Sequence, residues 1–224
     1  MTDTAIELDA LRRAPAGPLG ETAGETAAES VRNTIVERWL LPPEGVENNR
    51  ESTTHYKKQL ILQLEDDPVV AKAAAMLAGK HPESSILVKL DNEGNFRVLE
   101  RAITPDGQVH WSGLSAADSA KRLQEAFSTL KGSVRWQLVG HGRTANREID
   151  GRNNTTLAGL EPEALANNLK TLATATRCTP DYISLVGCAL TGAADMENSF
   201  AGRLTVSLYK KSMAVTVAAR AELL

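Results

Sequence analysis

The sequence has little of what would mark a specialised environment. Its 224 residues hold two cysteines, Cys178 and Cys188, too few for a disulfide framework. Stability must therefore come from a packed core, and a thiol here suits a reducing compartment. Aromatic residues make up 4% of the chain against 42% hydrophobic residues in all, so that core is mainly aliphatic. Neither sign of charge dominates: 25 Lys and Arg against 28 Asp and Glu leave a net charge of -3. General affinity for nucleic acid does not follow from that balance, and any anion site has to be a local basic patch. No apolar run approaches the ~20 residues needed to cross a bilayer. The N-terminus has no apolar core of signal-peptide type, so an export signal would lie outside this chain or be of another kind. There is no internal repeat.

What the chain does have is two strand ends that rhyme. Tyr182-Ile-Ser-Leu-Val-Gly-Cys188 reads as a buried strand running into a turn that presents a thiol. Val134-Arg-Trp-Gln-Leu-Val-Gly-His-Gly-Arg143 has the same form, with His141 between two glycines where the other has Cys188. Adjacent parallel strands with these ends bring an imidazole beside a thiol, the pair used in nucleophilic cysteine catalysis. Many buried strands end in Gly-Cys, and a free cysteine also serves as a small buried hydrophobe. The residues alone leave both readings of Cys188 open.

Residues 1 to about 33 are rich in Ala, Gly, Glu, Thr and Pro and read as a flexible tail. Ile35–Leu41 is apolar enough to dock, Pro42-Pro43 stops regular structure, and residues 44–57 read as loop. The body is expected to start near Lys58. Strands are expected at Gln59–Leu64, Ser85–Leu90, Phe96–Leu99 and Gln108–Trp111, then before His141, before Cys188 and at Met213–Ala218. Asp66 or Asp67 can cap a helix with Pro68 in its first turn and Gly79 as its stop. Ser115-Ala-Ala-Asp118 resembles a capping box opening a helix to Leu130. Pro162 opens another to Thr176, and a third is expected from Asp195 to Lys211. Strands alternating with helices imply a mainly parallel sheet flanked by helices, an α/β three-layer sandwich. Chemistry in such sheets gathers beyond the C-terminal strand ends, where both Gly-His-Gly and Gly-Cys fall.

These residues carry a family resemblance. Val69–Ser85, Arg135–Arg143, Asn153-Asn154-Thr155 and Ile183–Leu190 resemble the cysteine protease autoprocessing domain of multifunctional RTX toxins, peptidase family C80 of the caspase-like clan CD. The large clostridial glucosylating toxins are more distant relatives. The likeness runs from about Gln59 to Leu223. It implies a caspase-like peptidase domain at 58–224 behind an N-terminal tail at 1–57. Two departures stand out. Extra residues lie between Val98 and Val134, and the chain stops at Leu224, before the basic C-terminal flap of the toxin domains.

The resemblance also assigns roles. Cys188 is the expected nucleophile, His141 the general acid/base, and Glu65 an acidic residue that orients the histidine or, failing that, caps a helix. Asp66 and Asp67 are expected only to cap, and Cys178 to be inert. The backbone N–H groups of Gly142 and Cys188 are the expected oxyanion donors. Lys80 and His81 match positions that bind inositol hexakisphosphate, the implied allosteric activator, with Arg143 and Arg220 as additions by position. No metal is expected. The implied substrate is the protein's own polypeptide, cut after leucine. Among Leu8, Leu11, Leu19, Leu40 and Leu41 the tail favours the Leu19–Gly20 bond: Leu41 precedes a proline, Leu40 sits in the apolar patch, and Leu8 and Leu11 precede charged residues. A secreted bacterial toxin or effector acting as a monomer in the host cytosol is the implied setting, with no nucleic-acid partner and no membrane span. Two other readings remain: a polyphosphate-binding regulatory module with degenerate activity, and an effector peptidase cutting host proteins in trans.

Overall fold

The structure is a computed structural model that describes residues 21–40, 56–128, 130, 132–144, 154–191 and 196–219. The chain divides into two compact units, Met1–Thr34 and Ile35–Leu224. In the first, the described residues are helical and belong to α1 (Glu21–Trp39), where Thr34 Oγ1 donates to the Ser30 carbonyl. This corrects the expectation of a flexible tail up to residue 33. Ala27, Ala28 and Glu29 are strong helix formers, and helix propensity is independent of how much a segment buries. The expectation that Ile35–Leu41 docks agrees with the second unit: Ile35, Val36 and Leu40 are buried, and Leu40 bridges Val217.

The second unit is built on a sheet of seven strands in the order β4-β3-β2-β1-β5-β8-β9. These are β1 (Lys58–Gln63), β2 (Ser85–Leu90), β3 (Phe96–Ile103), β4 (Val109–Gly113), β5 (Val134–Val139), β8 (Tyr182–Val186) and β9 (Thr216–Ala219). β1, β2, β5, β8 and β9 run parallel, while β3 and β4 form an antiparallel hairpin at one edge. Two short strands, β6 (Gly142–Arg143) and β7 (Thr156–Leu157), make a separate antiparallel pair beyond the end of β5. The α/β three-layer expectation therefore stands.

Side-chain alternation divides the sheet's two faces. Leu60, Leu62, Ile86, Val88, Trp136, Leu138, Ile183, Leu185 and Val217 point to the larger core. That face is covered by α3 (Ala116–Phe127), α4 (Pro162–Thr176) and α5 (Phe200–Lys210) through Leu123, Phe127, Leu165, Leu169, Leu172, Phe200 and Leu204. Ile61, Leu87 and Val139 point the other way, against Val70, Ala74 and Ala78 of α2 (Pro68–Lys80). α2 starts where Asp67 caps it, accepting the N–H groups of Val69 and Val70 at 2.8 and 3.1 Å, with Pro68 at its first position.

α5 starts later than expected, at Phe200 and not Asp195, because Ser199 is its cap and accepts the Gly202 N–H at 3.1 Å. β3 runs four residues beyond the expected Leu99, to Ile103. Its outer half is exposed and paired with β4, so no apolar run announced it. Cys178 lies just past the C-terminus of α4.

Candidate active site

β5 and β8 are hydrogen-bonded neighbours in parallel register, with Val139 opposite Val186. Two residues further along each chain, just past these strand ends, come His141 and Cys188. The sequence pattern anticipated these two strands as parallel neighbours. Gly140 N–H still bonds the Val186 carbonyl at 3.2 Å, so the two chains stay together up to the point where both turn.

Three contacts fix His141. Its backbone N–H donates to Glu65 Oε1 at 2.6 Å, and its carbonyl accepts the Ala158 N–H at 2.8 Å. Its ring Nε2 lies 3.2 Å from Asp67 Oδ1. An ionised carboxylate can only accept, so Nε2 carries the proton and Nδ1 is the ring nitrogen left for chemistry. Asp67 stays ionised readily. Its pKa is held below the ordinary 3.8, first by the Val70 N–H; burial opposes this next, and the His141 ring and the Val69 N–H add to the lowering. The cap of α2 is thus also the acid facing the imidazole, a role the sequence did not suggest.

Glu65 does not touch the imidazole. Its Oε1 holds the His141 backbone and its Oε2 accepts Arg143 Nη1 at 2.8 Å, while its own carbonyl accepts Gln63 Nε2 at 3.0 Å. It orients the histidine through the main chain, and the ring contact falls to Asp67. Arg143, grouped with the anion-binding residues by position, spends its guanidinium on Glu65. Asp66, expected only to cap, pairs with Lys89 at 2.9 Å.

The Cys188 turn is held from the side by Asn154, which is 2% exposed. Asn154 Nδ2 donates to the Cys188 carbonyl at 2.8 Å, and its N–H to the Ala189 carbonyl at 3.2 Å. Ala189 is fully buried and left-handed, at φ 47°. A non-glycine residue in that region stores strain, which persists only where neighbours over-determine the backbone. Gly142 is pressed against the same turn, where an added Cβ would lie 2.1 Å from the Cys188 oxygen. It sits opposite Leu157 in the β6–β7 pair, and the bond from Ala158 N–H to His141 O places it at a non-hydrogen-bonded position. Its own N–H is therefore not taken up by β7.

Cys178 is not near this pair in the fold. Burial first, and Asp181 second, push its thiol above the ordinary 9.0, which suits an inert residue. Lys80 and His81 are exposed at the far end of α2, roughly 20 Å of helix rise from Asp67. They lie by the N-terminal strand ends, where the His81 carbonyl accepts the N–H groups of Ser84 and Ser85, and Ser84 in turn accepts Gln59 N–H. Lys58 starts β1 there; its pKa is lowered by burial first and then by repulsion from Arg122, with Glu83 opposing. Arg220, Leu19 and Gly20 lie outside the described residues. Among the described residues no group of three His, Cys, Asp or Glu could hold a metal ion, and no helix is long and apolar enough to cross a membrane.

A cysteine and an acid-paired histidine just past neighbouring C-terminal ends of a parallel sheet are the arrangement of a cysteine peptidase of the α/β class. Comparison with known proteins agrees: the model of the peptidase C80 family matches residues 54–224, and the chain belongs to that family. It is 37% identical over 173 residues to the multifunctional-autoprocessing repeats-in-toxin of Vibrio cholerae serotype O1, and 36% identical over 173 residues to that of Vibrio vulnificus. Each match covers 75% of this chain but 3% of the relative, so the chain spans a small fraction of those proteins' length. Among solved structures, a secreted C11 cysteine protease from Bacteroides thetaiotaomicron, bound to an irreversible peptide inhibitor, matches with a TM-score of 0.32 at 11% identity. That match covers 61% of this chain and 44% of the other, too slight a likeness to argue from.

Proposed function

We propose that this chain is an autoprocessing endopeptidase that cuts its own polypeptide after leucine when inositol hexakisphosphate binds, inside a host cell that takes up the parent toxin. The observation that carries the reading is the matched placement of His141 and Cys188, each backbone held by its own clamp. The Cys188 thiolate attacks the scissile carbonyl carbon, and the carbonyl π electrons move to oxygen. The resulting oxyanion is met by the N–H groups of Gly142 and Cys188. Collapse expels the amine, which takes a proton from the His141 Nδ1–H and leaves an acyl-thioester. Water, deprotonated by the same imidazole, then attacks the thioester and releases the thiolate. Asp67 holds the ring in place through Nε2. Clamps this complete on both reacting residues favour an active enzyme over a degenerate binding module.

Lys58, Lys80, His81 and Arg122 are the side chains proposed to receive the polyphosphate, at the opposite end of the sheet from the chemistry. A highly charged ligand needs several cations; Lys80 and His81 are both exposed, and Lys58 is repelled by Arg122. Incubating the full chain with and without inositol hexakisphosphate, followed by intact mass and N-terminal sequencing, tests the proposal. A new N-terminus at Gly20, dependent on the ligand and absent in Cys188→Ala, supports it. A chain left intact by the ligand, or cut equally in Cys188→Ala, refutes it.

A further inference from the structure

Among the described residues, α2 is the single helix whose buried residues belong to the smaller core, while α1, α3, α4 and α5 contribute to the larger one. It packs on β1, β2 and β5, and the hairpin of β3 and β4 extends past it. Alternation sends Leu99, Arg101 and Ile103 of β3 to that side, and the register sets Arg101 beside Trp111 and Ile103 beside Val109. Arg101, Val109 and Trp111 face Lys72, Ala75, Met76 and Gly79 of α2 across a cleft of about 320 Å3.

The surface around this cleft is unusual. Five large hydrophobic side chains are exposed among the described residues; two of them, Met76 and Val109, line the cleft, Ile103 is the cross-strand neighbour of Val109, and Val69 lies two turns before Met76 on α2. Val69, Lys72 and Met76 recur at helical spacing along α2, forming a second stripe opposite the one that Val70, Ala74 and Ala78 bury. A contiguous exposed apolar patch marks a site of interaction.

We propose that the cleft docks an acidic amphipathic helix of a partner protein, laid beside α2 over β3 and β4. The shape argues for a helix. One wall is a helix flank and the floor is a bare sheet face, the place a further helix occupies in a layered α/β fold. An added Cβ at Gly79 would meet nothing within 4 Å, so that part of the wall leaves room for close approach. The charge argues for acid. Among the described residues, Lys72 and Arg101 are the only charged ones lining the cleft, and no carboxylate does. Both are exposed, and neither forms an ion pair among the described residues. Lys89 and Arg97 on the same face are instead taken up by Asp66 and Asp91. In a chain of net charge -3, an apolar cleft with unpaired cations is a local reversal that selects a partner with carboxylates beside its apolar stripe.

The test uses two synthetic amphipathic helices with the same leucine face, one flanked by glutamate and one by lysine, titrated into the full chain at low salt by fluorescence anisotropy. The glutamate-flanked peptide is expected to bind and to weaken as salt rises. The double variant Lys72→Glu with Arg101→Glu should reverse the preference between the peptides, by roughly tenfold or more, as expected when two exposed pairs become repulsive. Met76→Ser with Val109→Ser should weaken both peptides. All four side chains sit in or beside open solvent, and a melting temperature matching the parent's checks folding. Failure of the glutamate-flanked peptide to bind, equal binding of both, or a preference unmoved by the charge reversal overturns the proposal. Self-association lost in Met76→Ser would overturn it in favour of a second copy. Binding that appears only after removal of residues 1–20 would overturn it in favour of the chain's own N-terminus.

Discussion

Replacing Gly142 by alanine tests how tightly the two halves of the site are built against each other. The new Cβ would sit 2.1 Å from the Cys188 carbonyl oxygen and 2.8 Å from Asn154 Nδ2. An ordinary carbon–oxygen contact is about 3.3 Å, so something must move by about 1 Å. Gly142 cannot yield easily. His141 is tied to Glu65 and Ala158 on one side, and Arg143 accepts Thr155 N–H at 2.9 Å on the other. The Cys188 turn moves instead, and its bond to Asn154 is lost. Overpacking costs about 1–3 kcal/mol, and a buried hydrogen bond left unmade about as much again. The sum is about 2–5 kcal/mol, a fall in Tm of about 5–15 °C for a body of this size. A displacement of about 1 Å at the thiol should slow its reaction about 10²-fold. Thermal melting and the second-order rate of Cys188 acylation by a leucyl electrophile read both effects. Gly79→Ala is the contrast: with open space around it, on a helix, it should stabilise by about 0.5–1 kcal/mol. A Gly142→Ala protein as stable and as quickly modified as its parent would refute the packing argument.

Other changes separate the remaining roles. Asp67→Asn keeps a good helix cap but removes the charge facing His141, so it should lower the melting temperature slightly at neutral pH while slowing cleavage about 10²–10⁴-fold. Because the Asp67 pKa is lowered on folding, its charge stabilises the native state above its ordinary 3.8, and that contribution disappears as pH falls through the lowered value. Melts of the parent and Asp67→Asn should therefore converge in the acid range, and curves that stay parallel would contradict this. Asn154→Ala leaves the Cys188 carbonyl without its donor and should cost about 1–3 kcal/mol. It should also reduce kcat more than KM, which single-turnover cleavage can measure.

The sequence showed those parts of the site that depend on local pattern. The apolar runs ending in Gly140 and Gly187 marked β5 and β8, and parallel pairing did the rest. Pro68 after Asp67, and Pro162 before Leu165, marked two helix starts to the residue or nearly so. What stayed hidden depends on contacts far apart in the chain. Asp67 meets His141 across 74 residues and Asn154 meets Cys188 across 34, and nothing in an Asp-Asp-Pro or Asn-Asn-Thr string says which imidazole or carbonyl it will reach. Glu65 was singled out correctly as a partner of His141, but its bond goes to the main chain, because a residue directly after β1 lies level with the turn after β5. α1 was missed for another reason: low burial was read as absence of structure, whereas alanine and glutamate form helix on propensity alone.

The central claim is that Cys188 is a nucleophile served by His141, and covalent capture tests it most directly. The full chain, supplied with inositol hexakisphosphate, is incubated with a peptidyl electrophile carrying leucine next to the reactive carbon, and the adduct is mapped by mass spectrometry. The account predicts one adduct, on Cys188, formed about 10²-fold more slowly or worse in His141→Ala, with Cys178 untouched because burial and Asp181 keep its thiol protonated. An adduct on Cys178, no adduct at all, or His141→Ala reacting as fast as the parent would contradict it.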